Sequence, residues 1–153
     1  MSTGANNELE YGAAFVGGYV ICCARVEEWA SAILVATALN DADGVAPKVP
    51  RMLGPKLKAI SDLATNQPAA FSKPKRIVEL MSRFSQPAKM RSDMAHSTVT
   101  PVKNGTDTYY LFRTVDSGER FWMTKTHMES ALSDLRKLVK EITDQKAKAI
   151  TAL

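Results

Sequence analysis

The chain has few of the features that announce common chemistries. Its two cysteines are adjacent, Cys22 and Cys23, inside an apolar run. Vicinal cysteines on a helix point in different directions, and with no second cluster neither a disulfide framework nor a zinc site has enough ligands. They read as reduced core thiols, which fits a cytoplasmic protein. There is no Gly-rich phosphate loop, G-x-S-x-G elbow, H-E-x-x-H pair or internal repeat, so nucleotide-fold, serine-hydrolase and zinc-enzyme readings lose their anchors. No cofactor or metal is implied. Long hydrophobic runs are also missing. Residues 11–24 are apolar but too short to span a bilayer, and Glu8 and Glu10 precede them where a signal peptide carries basic residues. No membrane partner is expected.

What is present suits one self-sufficient domain over 1–153, with 1–8 as a polar, frayed terminus. Apolar residues make up 45% of the 153, and both charge signs are well represented. That mixture excludes a disordered or low-complexity chain. The net charge of +4 is unevenly spread. From Lys48 to Arg91 there are ten Lys or Arg against only Asp62 and Glu79. Such an excess suits a polyanion partner, and it equally suits a solvated positive face with no ligand.

Periodicity predicts a mainly α fold. Over 10–40, Tyr11, Phe15, Gly18, Tyr19, Cys22, Val26, Trp29, Ile33 and Ala36 recur at helical spacing, and Gly17 with Gly18 marks either a tight crossing or a kink. Asn40 to Gly44, followed by Pro47 and Pro50, reads as a helix stop and loop. A second helix starts near Leu53, Gly54 and Pro55, carries Leu57, Ile60, Leu63 and Ala64 inward, and ends at Asn66 to Pro68. Ser72 and Pro74 open a third helix, with Ile77, Val78, Met81 and Phe84 as its stripe. Gln86-Pro87 is expected to interrupt it, with Pro87 opening a separate short helix to His96, after which residues 97–101 continue a helix poorly. Residues 107–114 and 119–124, rich in β-branched and aromatic side chains around Val115 to Gly118, predict one β-hairpin. A final helix spans about 126–146 on Met128, Ala131, Leu132, Leu135, Leu138, Val139 and Ile142, with Thr124 or Thr126 as cap.

The stretch with the most chemical content is Arg91-Ser92-Asp93-Met94-Ala95-His96. Guanidinium is a fixed planar cation suited to phosphate oxygens, and imidazole exchanges a proton near neutral pH. On an ideal helix the two are about 140° apart, whereas Ser92 and Asp93 lie one turn before His96 and are in position to orient its ring. The same spacing also fits a helix end carrying a salt bridge and a half-buried histidine. Trp29, Trp122, Tyr109, Tyr110 and Phe112 are able to stack on bases or to pack as core. His127, at the start of the last helix, reads as a surface residue.

Residues 9–145 resemble the HEPN superfamily. The likeness lies in a long first helix bearing Ala24-Arg25-Val26-Glu27-Glu28, a Leu53-Gly54 helix start, and Arg91, Ser92, Ala95 and His96 filling the places of an R-N-x-x-A-H motif ahead of a polar loop and an amphipathic last helix. The resemblance implies an antiparallel helical bundle, here with the hairpin inserted before the C-terminal helix, paired as a homodimer about a two-fold axis. It further implies a metal-independent endoribonuclease of a toxin–antitoxin, abortive-infection or other bacterial defence system, acting on RNA and met by an antitoxin or other protein partner. Arg91 and His96 would be catalytic and Ser92 and Asp93 would orient His96. Lys89, nearly two turns before His96 on the same face, and Arg83 would hold the RNA backbone. A catalytically silent helical dimer that binds nucleic acid or a protein is the competing reading. Two positions depart from the pattern: Ser92 stands where Asn is commoner, and Thr98 where some members carry a tyrosine modified by a nucleotidyltransferase partner, so that form of control is not carried over.

Overall fold

The structure is a computed structural model that describes residues 3–40 and 49–151. Among them the order is α1 (Thr3–Leu39), α2 (Leu53–Asn66), a 3-10 turn (Pro68–Ala70), α3 (Pro74–Ala95), β1 (Ser97–Asn104), β2 (Asp107–Thr114), β3 (Arg120–Thr124), α4 (Lys125–Thr143) and α5 (Lys148–Thr151). The fold is mainly helical, as the periodicity predicts. The chain divides into two compact units: Met1–Cys22 with Met90–Arg136, and Cys23–Lys89 with Lys137–Leu153. Helices α1, α3 and α4 each contribute to both. The loop expected after Asn40 falls mostly on residues 41–48, outside those described.

In the first unit a three-stranded antiparallel sheet, order β1-β2-β3, replaces the single predicted hairpin. The unforeseen strand is β1, whose Pro101 disguises it. A two-residue hairpin loop, Gly105-Thr106 with Gly105 at φ +66°, closes on the Asn104–Asp107 pair, and glycine first in such a loop is the signature of a II′ turn. Counting back in steps of two from that hydrogen-bonded pair, Pro101 opposite Tyr110 is a non-bonded pair. The proline nitrogen therefore faces away from the ladder, which an edge strand tolerates. Between β2 and β3, the Thr114 N–H donates to the Glu119 carbonyl at 2.9 Å and Gly118 turns the chain at φ +70°.

Alternation divides the sheet. Tyr110 and Phe112 are fully buried on its inner face, where Phe112 pairs in register with Val99 on one side and Phe121 on the other. The Phe112 and Phe121 rings stack at 4.8 Å, and Phe15 of α1 meets Phe112 edge-on at 6.2 Å. Helix α1 comes in very close: a Cβ on Gly12 would lie 2.8 Å from Val99 Cγ1. Gly18 receives the side chain of Leu132 from α4 at 3.2 Å, whereas Gly17 faces open space. The tight approach thus falls at Gly12 and Gly18, with Gly17 uninvolved. From Thr3 onward the polar start of the chain is helical and opens α1.

The second unit packs helix on helix. Val26, Ala30, Ile33 and Ala36 of α1, Leu57 and Ile60 of α2, Ile77, Leu80 and Phe84 of α3, and Val139 and Ile142 of α4 form its core. Helix α3 runs unbroken through Pro87, against the expected interruption. The reason is a continuous inward stripe: Phe84 is buried, and Ala88 and Arg91 follow at helical spacing, half-buried. Burial of Leu80 and Phe84 before Pro87 and of Met94 after it opposes the roughly 3 kcal/mol that an interior proline costs. Helix α4 stops at Thr143, earlier than the expected 146, because Ala147 bridges to Phe71 and the Ser72 N–H donates to the Lys146 carbonyl at 3.2 Å. Its start is as expected, with Thr124 Oγ1 accepting the His127 N–H at 3.2 Å.

The glycines supply a test of this packing. Gly12→Ala is expected to lower unfolding free energy by roughly 1–3 kcal/mol through overpacking against Val99. Gly17→Ala should raise it by up to about 1 kcal/mol through helix propensity alone. Urea denaturation of the two variants beside the wild type reads both; equal effects would contradict the described approach of α1 to the sheet.

Candidate functional site

Arg91, Ser92, Asp93 and His96 all belong to the first unit, at the end of α3. Arg91 is half-buried and His96 exposed. The helix closes at Ala95, and His96 is the residue at the corner between helix and sheet. Its N–H still donates back to the Ser92 carbonyl at 3.2 Å, while its own carbonyl accepts from the Val115 N–H at 2.9 Å. One residue therefore ends the helical ladder and begins the sheet ladder. With both backbone groups engaged, the position of His96 is set by hydrogen bonds that leave its ring at the surface.

Ser92 and Asp93 take up different tasks from the expected one. The Ser92 side chain is exposed, and the Asp93 carbonyl accepts the Ser97 hydroxyl, which stitches the start of β1 to the last turn of α3. Among the described residues no side-chain hydrogen bond joins either of them to His96. Short polar residues at helix ends often bind backbone in this way.

Lys89 and Arg83 lie in the second unit, both exposed. Arg83 Nη1 stands 3.5 Å from Glu141 Oε2, and Arg76 is paired with both Glu79, at 2.6 Å, and Glu141. Lys56 is nearly buried and bonded to Glu27 at 2.9 Å, and Lys58 meets Asp62 at 2.6 Å. The positive stretch is therefore partly neutralised by acids from outside it, Glu27 and Glu141, which a count along the sequence omits. Arg51, Lys73, Lys75 and Lys89 are exposed and make no ion pair among the described residues. No group of three or more His, Cys, Asp or Glu is placed to hold a metal ion among the described residues. No helix among them is long and apolar enough to cross a membrane.

A polar network that the sequence did not reveal ties the first turns of α1 to the sheet. Glu8 accepts the Tyr110 hydroxyl and lies 3.2 Å from Lys125 Nζ, which also sits 4.8 Å over the Tyr11 ring, and Tyr11 donates to Glu129 at 2.9 Å. Glu8 also borders a cleft of about 440 Å³ with Asp107, Thr108 and Lys125. The Tyr110 hydrogen bond, and Lys125 after it, hold the Glu8 carboxyl below the usual glutamate range despite partial burial. Burial, and then the Glu8 carboxylate, push the Tyr110 phenol well above its usual value. The partners are about a hundred residues apart in the chain, too far for any local pattern to signal. The geometry suits anchoring: Tyr110 is fully buried, so its hydroxyl needs an acceptor.

Because the Glu8 pKa is lowered by folding, its contribution is present above the ordinary glutamate range and is lost as pH falls through the lowered value; that of Tyr110, whose pKa is raised, is intact below a pH of about 10 and fades above it. Glu8→Gln should cost roughly 1.5–3 kcal/mol at neutral pH. Denaturation midpoints of wild type and Glu8→Gln are expected to converge as the solution is acidified below the glutamate range. A gap of constant size across that range would contradict the network.

Comparisons with family models, with curated proteins and with solved structures return no match to this chain.

Proposed function

We propose that this protein is a metal-independent endoribonuclease of the HEPN type, in which His96 and Arg91 act on an RNA phosphodiester. The observation that supports the reading is the corner at His96. An imidazole is held at the surface by a backbone bonded on both sides, in the same compact unit as a half-buried guanidinium five residues earlier. In the proposed reaction the ribose 2′-oxygen attacks the adjacent phosphorus and the bond to the 5′-oxygen breaks. The 2′-hydroxyl proton passes to one imidazole, and the leaving oxygen takes a proton from another. The products are a 2′,3′-cyclic phosphate and a 5′-hydroxyl. Arg91 stabilises the negative charge that grows on the non-bridging oxygens. A homodimer paired about a two-fold axis would supply both imidazoles and both guanidiniums to one cleft, which removes the difficulty that the two side chains diverge along one helix. An antitoxin or other protein partner in a bacterial defence setting belongs to the same proposal.

The test is cleavage of a labelled RNA in the presence of a chelator. His96→Ala and Arg91→Ala are expected to lower the rate by about a hundredfold or more, with Arg91→Lys recovering part of the Arg91 loss, and a cyclic phosphate should be detected at the new 3′ end. Sedimentation should show dimers at working concentrations. Equal rates in all variants would eliminate the enzyme reading, and binding without any cleavage would favour a silent nucleic-acid-binding module.

A further inference from the structure

The outer face of the sheet has its own chemistry. Register puts Thr98, Arg113 and Arg120 in one row across the three strands, Thr100, Leu111 and Trp122 in the next, and Val102, Tyr109 and Thr124 in the third. Trp122 is 54% exposed and Val102 is also open, while Tyr109 and Leu111 are half-buried. The exposed indole offers solvent a flat, amphipathic ring face. The row beside it is stranger. Arg113 and Arg120 are direct cross-strand partners. Since Thr114 and Glu119 form the hydrogen-bonded pair next to them, these two are a non-bonded pair with Cα atoms about 4.5 Å apart, the closer of the two spacings. Like charges so placed repel. Both side chains are exposed, and neither forms an ion pair among the described residues. Asp107, the one acid on this face of the strands, stands at the opposite end of β2.

We infer that this face binds single-stranded RNA, with bases stacking on Trp122 and Tyr109 and a phosphate seated between Arg113 and Arg120. An anion at that seat relieves the repulsion, and ring faces accept any base. Two adjacent arginines and an exposed indole, with Asp107 alone at the far end, suit a polyanion that also offers ring faces. The same ladder continues one step beyond Thr98 to His96, opposite Val115 and diagonal to Arg113, positions that in a sheet lie roughly 7–8 Å apart. A strand lying on the face therefore leads to the imidazole. That last step rests on the ribonuclease reading; the binding does not.

Anisotropy of a fluorescein-labelled oligouridylate, titrated with full-length protein across a salt series, tests it. Trp122→Ala should weaken binding about tenfold, with Trp122→Phe recovering most of it. The double variant Arg113→Gln with Arg120→Gln should weaken binding and flatten the dependence of affinity on salt by about one phosphate contact. Binding with no cleavage by any form sinks the enzyme reading while sustaining this one. Wild-type affinity and salt slope in the Trp122 and arginine variants overturns it, leaving the face to a protein partner.

Discussion

The hydrogen bond from the Val115 N–H to the His96 carbonyl is the constraint on which the candidate chemistry depends. It converts a helix end into a strand start within one residue. Without it, His96 would be the last residue of a fraying helix, free to sample many directions. With it, the imidazole belongs to a sheet whose register is set by two glycine turns. The bond from Ser97 to the Asp93 carbonyl secures the same corner from the strand side.

That sheet is held to α1 by aromatic packing and by one charged network. Phe15, Phe112 and Phe121 make a continuous ring contact on the inner face, and Glu8 gives the buried Tyr110 hydroxyl its acceptor. Fixing the inner face fixes the outer one, because side chains along a strand alternate strictly. The exposure of Trp122 and the pairing of Arg113 with Arg120 thus follow from the burial of Phe112 and the inward side of half-buried Phe121. Structure and proposed recognition are two sides of one register.

In the second unit, charge is arranged differently from what a linear count suggests. Glu27 meets Lys56, and Glu141 meets Arg76 and Arg83. Lys56 is the member with an energetic stake, since a nearly buried ammonium without its carboxylate would be costly; exposed pairs such as Lys58 with Asp62 contribute little. Of the ten basic residues of the middle segment, Arg51, Lys73, Lys75 and Lys89 are exposed and make no ion pair among the described residues, and Arg113 and Arg120 of the sheet share that state.

The sequence by itself located α1, α2 and α4, though not their ends, because apolar residues at three- and four-residue spacing bury one face of a helix, and it located β2 and β3 by alternation around a glycine turn. It also singled out Arg91 and His96 by their chemistry. Only tertiary structure decided that α3 passes through Pro87, because packing of the stripe around Phe84 is a non-local gain that overrides a local cost. Tertiary structure likewise made β1 a strand in spite of Pro101, since what permits a proline there is being at an edge, and no local pattern encodes the position of a strand in its sheet. It sorted the aromatics too, sending Tyr110 and Phe112 inward and Trp122 outward. Local pattern specifies how a segment coils or extends; which neighbour satisfies each polar group, and which face meets water, depends on contacts between residues a hundred positions apart.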